Sequence, residues 1–280
     1  MIKKALIAVV LCLLFTTTYA QNTEKIKGDR NVTISEANIN SFNRIVVGER
    51  FKIDLIEGEQ ASVFIETDEN LHDVISFNVA DSTLYFKTTK RITTFKKMSI
   101  KVTFTKTLKQ IETKEDAEVS SLTSINLDDI VLVHSGNSKS YLNIKTSKFK
   151  LINNEKAKAK LNVTTKLATL ELNENSKAEA LIQADSMEVD LYQRSEAKIE
   201  GDVDHLEVRA DNSSSFIGRN FTANRASVNC DLNSDVYVKV IDELFIEARG
   251  NSEIYIYDTP KITIKAFEGA SKLHKKELKK

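Results

Sequence analysis

The stretch LELNENSKAEALI, Leu170 to Ile182, carries the pattern that decides the fold. Leu170 and Leu172 alternate with Glu171 and Asn173, Asn175-Ser176 marks a corner, and Ala178, Ala180 and Ile182 alternate again. Successive side chains of a strand point to opposite faces, whereas a helix repeats every 3.6 residues. A period of two on both sides of a polar corner therefore predicts two short strands joined by a turn, each with one apolar face.

The unit recurs. Placing the corner Ser or Ala in one column gives Ala117, Ser138, Ala157, Ser176, Ser195, Ser213, Ser234, Ser252 and Ser271, separated by 18 to 21 residues. Self-similarity at a fixed period of this length marks a solenoid. About nineteen residues per unit suit roughly three short strands and three corners, each coil stacking on the next at the normal strand spacing of about 4.8 Å. The expected fold is all-β, a right-handed parallel β-helix of about nine coils and roughly 40 Å, its core continuous along the axis. Right-handed winding is preferred because the single aliphatic residue every six positions of left-handed hexapeptide helices is absent.

Asn precedes the corner serine at Asn137, Asn175, Asn212, Asn233 and Asn251, followed by Ser138, Ser176, Ser213, Ser234 and Ser252. Asn tolerates left-handed backbone angles, and its amide hydrogen-bonds the backbone or the next coil. With only eight glycines and one proline in 280 residues, Asn is expected to carry the turns. This Asn-Ser ladder is thus read as structural.

Outside the repeat the chain divides further. Lys3 and Lys4, the apolar run Ala5 to Phe15, and Thr18-Tyr19-Ala20 have the form of a secretory signal peptide over residues 1–20. The run is too short to span a bilayer as a helix. Residues 21–40 are polar and expected to form a poorly ordered lead-in. A single β-helix domain is expected over 41–273, with 41–113 as cap and first coils and 114–273 as regular coils. The longer, more aromatic strands of the first part suit a mixed-strand cap, including a hairpin around Asp81-Ser82. Residues 274–280 form a charged tail expected to fray.

Composition excludes more than it assigns. Without Lys3 and Lys4 the chain has 38 basic against 40 acidic side chains. This interleaved, near-zero balance gives no electrostatic basis for nucleic-acid binding. Cys230 falls at an apolar-alternating position and reads as a small buried hydrophobe. His72, His134, His205 and His274 lie too far apart for a metal motif, so neither metal nor cofactor is expected. The acidic pairs Asp128-Asp129 and Asp242-Glu243 offer the best case for a carbohydrate-active enzyme. Adjacent strand residues face opposite sides, however, and no nucleophile motif is present.

One surface remains. Tyr237 and Tyr255 stand three residues after their corner serines, as does Tyr141, and Phe216 takes the same place in the column as drawn above. Phe216, Tyr237 and Tyr255 are therefore expected to form an exposed aromatic ladder, a flat strip for a glycan or an envelope protein.

The pattern Phe42-x-x-Ile45-x-Val47-Gly48-x-x-Phe51-x-Ile53-x-Leu55-x-x-Gly58 resembles the opening of the family "Putative auto-transporter adhesin, head GIN domain". Asp68-x-Asn70-Leu71-x-x-x-Ile75, Thr83-Leu84-Tyr85-Phe86 and Ile100-x-Val102-x-Phe104 followed by Leu108-x-x-Ile111 resemble it as well, and the likeness spans about residues 31–273. The chain departs from it at Thr105–Thr107, where the family tends to have a proline, and at Lys114-Glu115-Asp116-Ala117, which replaces a Gly/Ser run. The resemblance implies an exported β-helix of Bacteroidetes-type bacteria, periplasmic, cell-surface associated or secreted, without an established enzymatic role. The expected function is accordingly a non-enzymatic, adhesin-like binding module. A carbohydrate-active enzyme and a structural envelope scaffold are the alternatives.

Overall fold

The computed structural model describes residues 24–277. The leader expected at 1–20 lies outside the described residues. The chain winds into a β-solenoid of about nine turns, held by two parallel ladders that run its length. One ladder joins Lys52–Glu57, Glu118–Ser121, Lys139–Lys145 and the first half of Lys158–Leu172, then continues through later coils to Glu253–Tyr257 and Lys272–Lys276. The other joins Arg44–Val47, Gln110–Thr113, Asp129–His134 and Lys148–Asn153 and ends at Lys261–Phe267.

Each coil has two runs, one tight turn and one bend, not three strands and three corners. From Lys158 to Ala248 the two runs of each coil are continuous as single strands, such as Lys158–Leu172 and Lys177–Tyr192. The bend keeps extended backbone, so Thr165 pairs with Ala184 and Leu167 with Ser186 on either side of it. Alternation places Ala178, Ala180 and Ile182 inward on one run and Met187, Val189 and Leu191 inward on the other, all buried. The two runs supply opposite walls of one core.

The tight turn explains the corner differently from the Asn argument. The left-handed residue stands two before the inward Ser or Ala: Glu115 (φ 56°), Gly136 (70°), Glu155 (61°) and Glu174 (62°). Asn137, Asn175 and Asn251 are not left-handed; their neighbours take the strain. Asn233 and Asn212 do have positive φ, in turns where two consecutive residues are left-handed. The Asn side chains instead bridge coils: Asn251 donates to Asn233 Oδ1 at 3.0 Å and Asn137 to Asp116 Oδ1 at 3.1 Å, while Asn175 Oδ1 accepts from Arg194 at 3.1 Å.

Three of the buried inward serines donate to backbone carbonyls of the preceding coil, whereas the buried Ser195 Oγ has no partner among the described residues. Ser176 Oγ donates to Asn153 O (2.9 Å), Ser214 Oγ to Leu191 O (3.2 Å) and Ser138 Oγ to Thr113 O (3.3 Å). The hydroxyl adds a second donor to such a carbonyl: Asn153 O also accepts from Asn173 N at 2.8 Å and Thr113 O from Ser135 N at 3.0 Å. Ser214, not Ser213, holds the inward place. Asn212 and Ser213 are the two left-handed residues of that turn (φ 58° and 66°), which moves the inward position one residue on.

That shift of one residue relocates Phe216. It pairs with Ala197 on one side and Val236 on the other, both inward residues, and is wholly buried. A Cβ on Gly218 would lie 2.5 Å from its ring, so glycine there makes room for the phenyl group. Phe216 is a core residue and not part of the outer ladder. The period-two rule that makes a strand legible also reverses its faces on a slip of one.

The first coils are capped by mixed strands. Met98–Phe104 runs parallel to Lys52–Glu57 and antiparallel to Ser62–Asp68, which pairs antiparallel with Val32–Asn38. Ile75–Ala80 and Thr83–Thr88 form the expected hairpin, with Asp81 and Ser82 both left-handed (φ 48° and 58°), as a two-residue hairpin of this type requires. The polar lead-in is thus ordered from residue 24: Lys25–Lys27 pairs with Arg91–Thr94, and Val32–Asn38 forms an edge of the cap. Buried Asp68 anchors it, accepting from the N–H groups of Arg30 and Lys96, both at 3.1 Å, and Lys97 at 3.3 Å. Burial alone would raise its pKa, but these three donors hold its carboxyl below the usual value. The C-terminal segment differs likewise from the frayed tail expected: Lys272–Lys276 pairs residue for residue with Glu253–Tyr257.

Candidate functional site

On the ladder that follows each corner serine, the first, third and fifth residues point outward. At the C-terminal end the third column reads Tyr237, Tyr255, His274 in direct register. The Tyr237 and Tyr255 rings stack at 4.3 Å with 4° between planes, and His274 continues the stack at 4.6 Å and 11°. Lys276 Nζ lies 5.3 Å from the Tyr255 ring centre. Tyr237 and Tyr255 stand beside each other, Phe216, expected with them, is buried, and His274, expected in the tail, is the third ring. The repeat itself held that signal, since His274 is three after Ser271.

Glu253 organises this strip. Its carboxylate accepts from Lys272 Nζ at 2.7 Å, Tyr255 Oη at 2.5 Å and His274 Nε2 at 3.1 Å. Lys272 first, and then Tyr255, hold the Glu253 carboxyl down at about 2. The same hydrogen bond raises the Tyr255 phenol above its ordinary range. Burial raises the Tyr237 phenol, and Asp235 beside it adds to the effect. Asp235 is itself raised, by burial first and by neighbouring Glu253 second. The tyrosines are therefore neutral, flat and fixed, with charge along one edge of the stack. Such a strip offers an aromatic face with polar flanks, as ligand surfaces commonly do.

Further along the same columns lies an open groove of about 540 Å³. Tyr141, Lys160, Glu179 and Lys198 follow one another in the third column, and Asn143, Asn162, Leu181 and Glu200 in the fifth. Tyr141 and Leu181 are 40% and 49% exposed, and Lys160 pairs with Glu179 at 3.4 Å. Asn143 and Asn162 of the fifth column become neighbours only through the stacking of coils.

The other chemistry-bearing residues do not assemble. Cys230 is buried and its thiol is pushed up to about 12 by that burial. Among the described residues, no three His, Cys, Asp or Glu side chains are grouped as metal ligands, and no helix is long and apolar enough to cross a membrane. Of the acidic pairs, Glu243 is engaged in ion pairs with Arg225 at 3.9 Å and Lys261 at 3.7 Å.

The family model "Putative auto-transporter adhesin, head GIN domain" matches residues 41–181 and 162–260. The chain belongs to that family. No curated protein matches it. Solved structures share the fold: a "putative adhesin" from Parabacteroides distasonis is 17% identical, with a TM-score of 0.66 over 91% of this chain and all of that one. Another from Parabacteroides merdae is 16% identical, with a TM-score of 0.59 over 91% of this chain and all of its own. A "putative lipid binding protein" from Parabacteroides distasonis is 18% identical and aligns with a TM-score of 0.58 over 90% and 100%. At these identities the likeness concerns architecture.

Proposed function

We propose that this head GIN domain protein is an exported, non-enzymatic binding module of the cell envelope, with an adhesin-like role. It recognises a glycan or an envelope protein through the outer face that carries Tyr237, Tyr255 and His274. The observation that carries this reading is the three-ring stack, held parallel on consecutive strands and locked by Glu253. A rigid aromatic strip loses little entropy on binding, and Glu253, Lys272 and Lys276 offer polar contacts at its margin. The open groove at Tyr141 lies on the same face and suits an extended ligand running along the coils.

The test is a binding screen against glycans and envelope extracts, comparing the protein with a Tyr237→Ser/Tyr255→Ser variant whose circular dichroism confirms the fold. At roughly 0.5–1.5 kcal/mol per aromatic contact, removal of both rings weakens binding by between about 5-fold and about 150-fold. Unchanged affinity in the folded variant, or binding by neither protein, overturns the proposal and brings forward the scaffold reading.

A further inference from the structure

The last coil presents an open sheet edge whose composition selects a partner. Among the described residues Lys261–Phe267 pairs on one side only, with Glu243–Ala248, and Lys272–Lys276 pairs only with Glu253–Tyr257. In the preceding coil the inward residues Leu244, Ile246 and Ala248 are fully covered. Their register mates Ile262, Ile264 and Phe267 are 42%, 50% and 44% exposed. Three core-type side chains and a row of backbone N–H and C=O groups thus lie together without a covering strand among the described residues.

Charge distinguishes between occupants. The edge carries Lys261, Lys265, Lys272, Lys275 and Lys276, and of these only Lys261 and Lys272 face a carboxylate within ion-pair distance among the described residues. Lys265 and Lys276 lie over the rings of Phe245 and Tyr255, and Lys275 donates to the Asp258 carbonyl. A second copy docked end to end would bring these lysines against themselves, so the pattern opposes self-association. It complements acid.

We infer that this edge receives an extended acidic segment of a partner protein by strand addition. Apolar residues of that segment, at every second position, cover Ile262, Ile264 and Phe267, while Asp or Glu on its other face meets Lys261 and Lys265, which alternate outward on the same strand. Strand addition supplies affinity through main-chain hydrogen bonds, and the side chains set specificity. The edge strand Lys261–Phe267 contributes no residue to the aromatic strip, which continues onto the neighbouring run through His274.

The experiment uses the full chain with two capped eight-residue probes, one alternating Val with Glu and the other Val with Lys. Binding is read by calorimetry and by amide hydrogen exchange over residues 261–276. The Glu peptide is expected to slow exchange there at least tenfold and to bind at least tenfold more weakly when salt rises from about 0.05 to 0.5 M. The doubly reversed variant Lys261→Glu/Lys265→Glu, altered at exposed positions of the edge strand, reverses the preference to the Lys peptide. Equal binding of both peptides, binding of neither, or protection away from these strands overturns the inference. So does a concentration-dependent dimer that protects the edge without peptide, since a second copy would then be the occupant.

Discussion

His134 is expected to make the fold acid-sensitive in a pH range where the carboxylates are still ionised. It points into the core between Thr113 and Asn153 of the adjacent coils, is fully buried, and neither ring nitrogen has a hydrogen-bond partner within normal limits. Burial lowers its pKa from an ordinary 6.5 to about 4, while the neighbouring Asn153 amide works weakly the other way. With the folded value below the unfolded one, the unfolded chain binds more protons between them. The stabilisation is therefore fully present above about pH 6.5 and is lost as the pH falls towards 4. At 1.36 kcal/mol per pH unit the whole effect is about 3 kcal/mol, of which about 2 kcal/mol is lost between pH 7 and pH 5. The comparison is with His134→Leu, because Leu172 and Leu191 fill the same column two and three coils on. Urea denaturation of both proteins at pH 7 and pH 5 isolates the imidazole, since Asp68, Glu112 and Glu253 all titrate lower. The protein should lose about 2 kcal/mol more than the variant over this interval. Parallel losses in the two would refute the assignment of a buried neutral imidazole.

Two further outcomes follow from packing. Phe216→Ala removes a fully buried ring and should lower stability by about 3–5 kcal/mol, whereas Tyr237→Ala on the outer face should cost less than about 2 kcal/mol; similar losses in chemical denaturation would contradict the corrected register. Gly201 has φ 115°, and a Cβ there would lie 2.1 Å from Ile182 O. Gly201→Ala should therefore lower the melting temperature clearly. Gly48→Ala, where a Cβ meets nothing within 4 Å, should leave it within a degree or two.

Much of the architecture was legible because it is local. Alternation from Leu170 to Ile182 reports two faces, and its recurrence reports stacking, since a unit this short cannot bury its apolar face alone. The hairpin at Asp81-Ser82 was readable for the same reason. The binding face was only half legible. Tyr237 and Tyr255 share the offset from a corner serine, but Phe216 was placed beside them because Ser213 and Ser214 are equally good serines in a sequence. Only the backbone angles of Asn212 and Ser213 decide between them, and a slip of one exchanges core for surface.

By itself the sequence determined the class of fold, the coil length, the inward character of most alternating positions and the resemblance to a family of β-helices. These properties depend on near neighbours and on a repeat that can be counted. Tertiary structure alone decided which residues become neighbours across nineteen positions. It ordered the lead-in through buried Asp68 and turned His274 from tail into the third ring of the stack. It also left Ile262, Ile264 and Phe267 uncovered among lysines. Each depends on where one coil ends relative to the next, and that register is set by the handedness of single turn residues, which composition does not report.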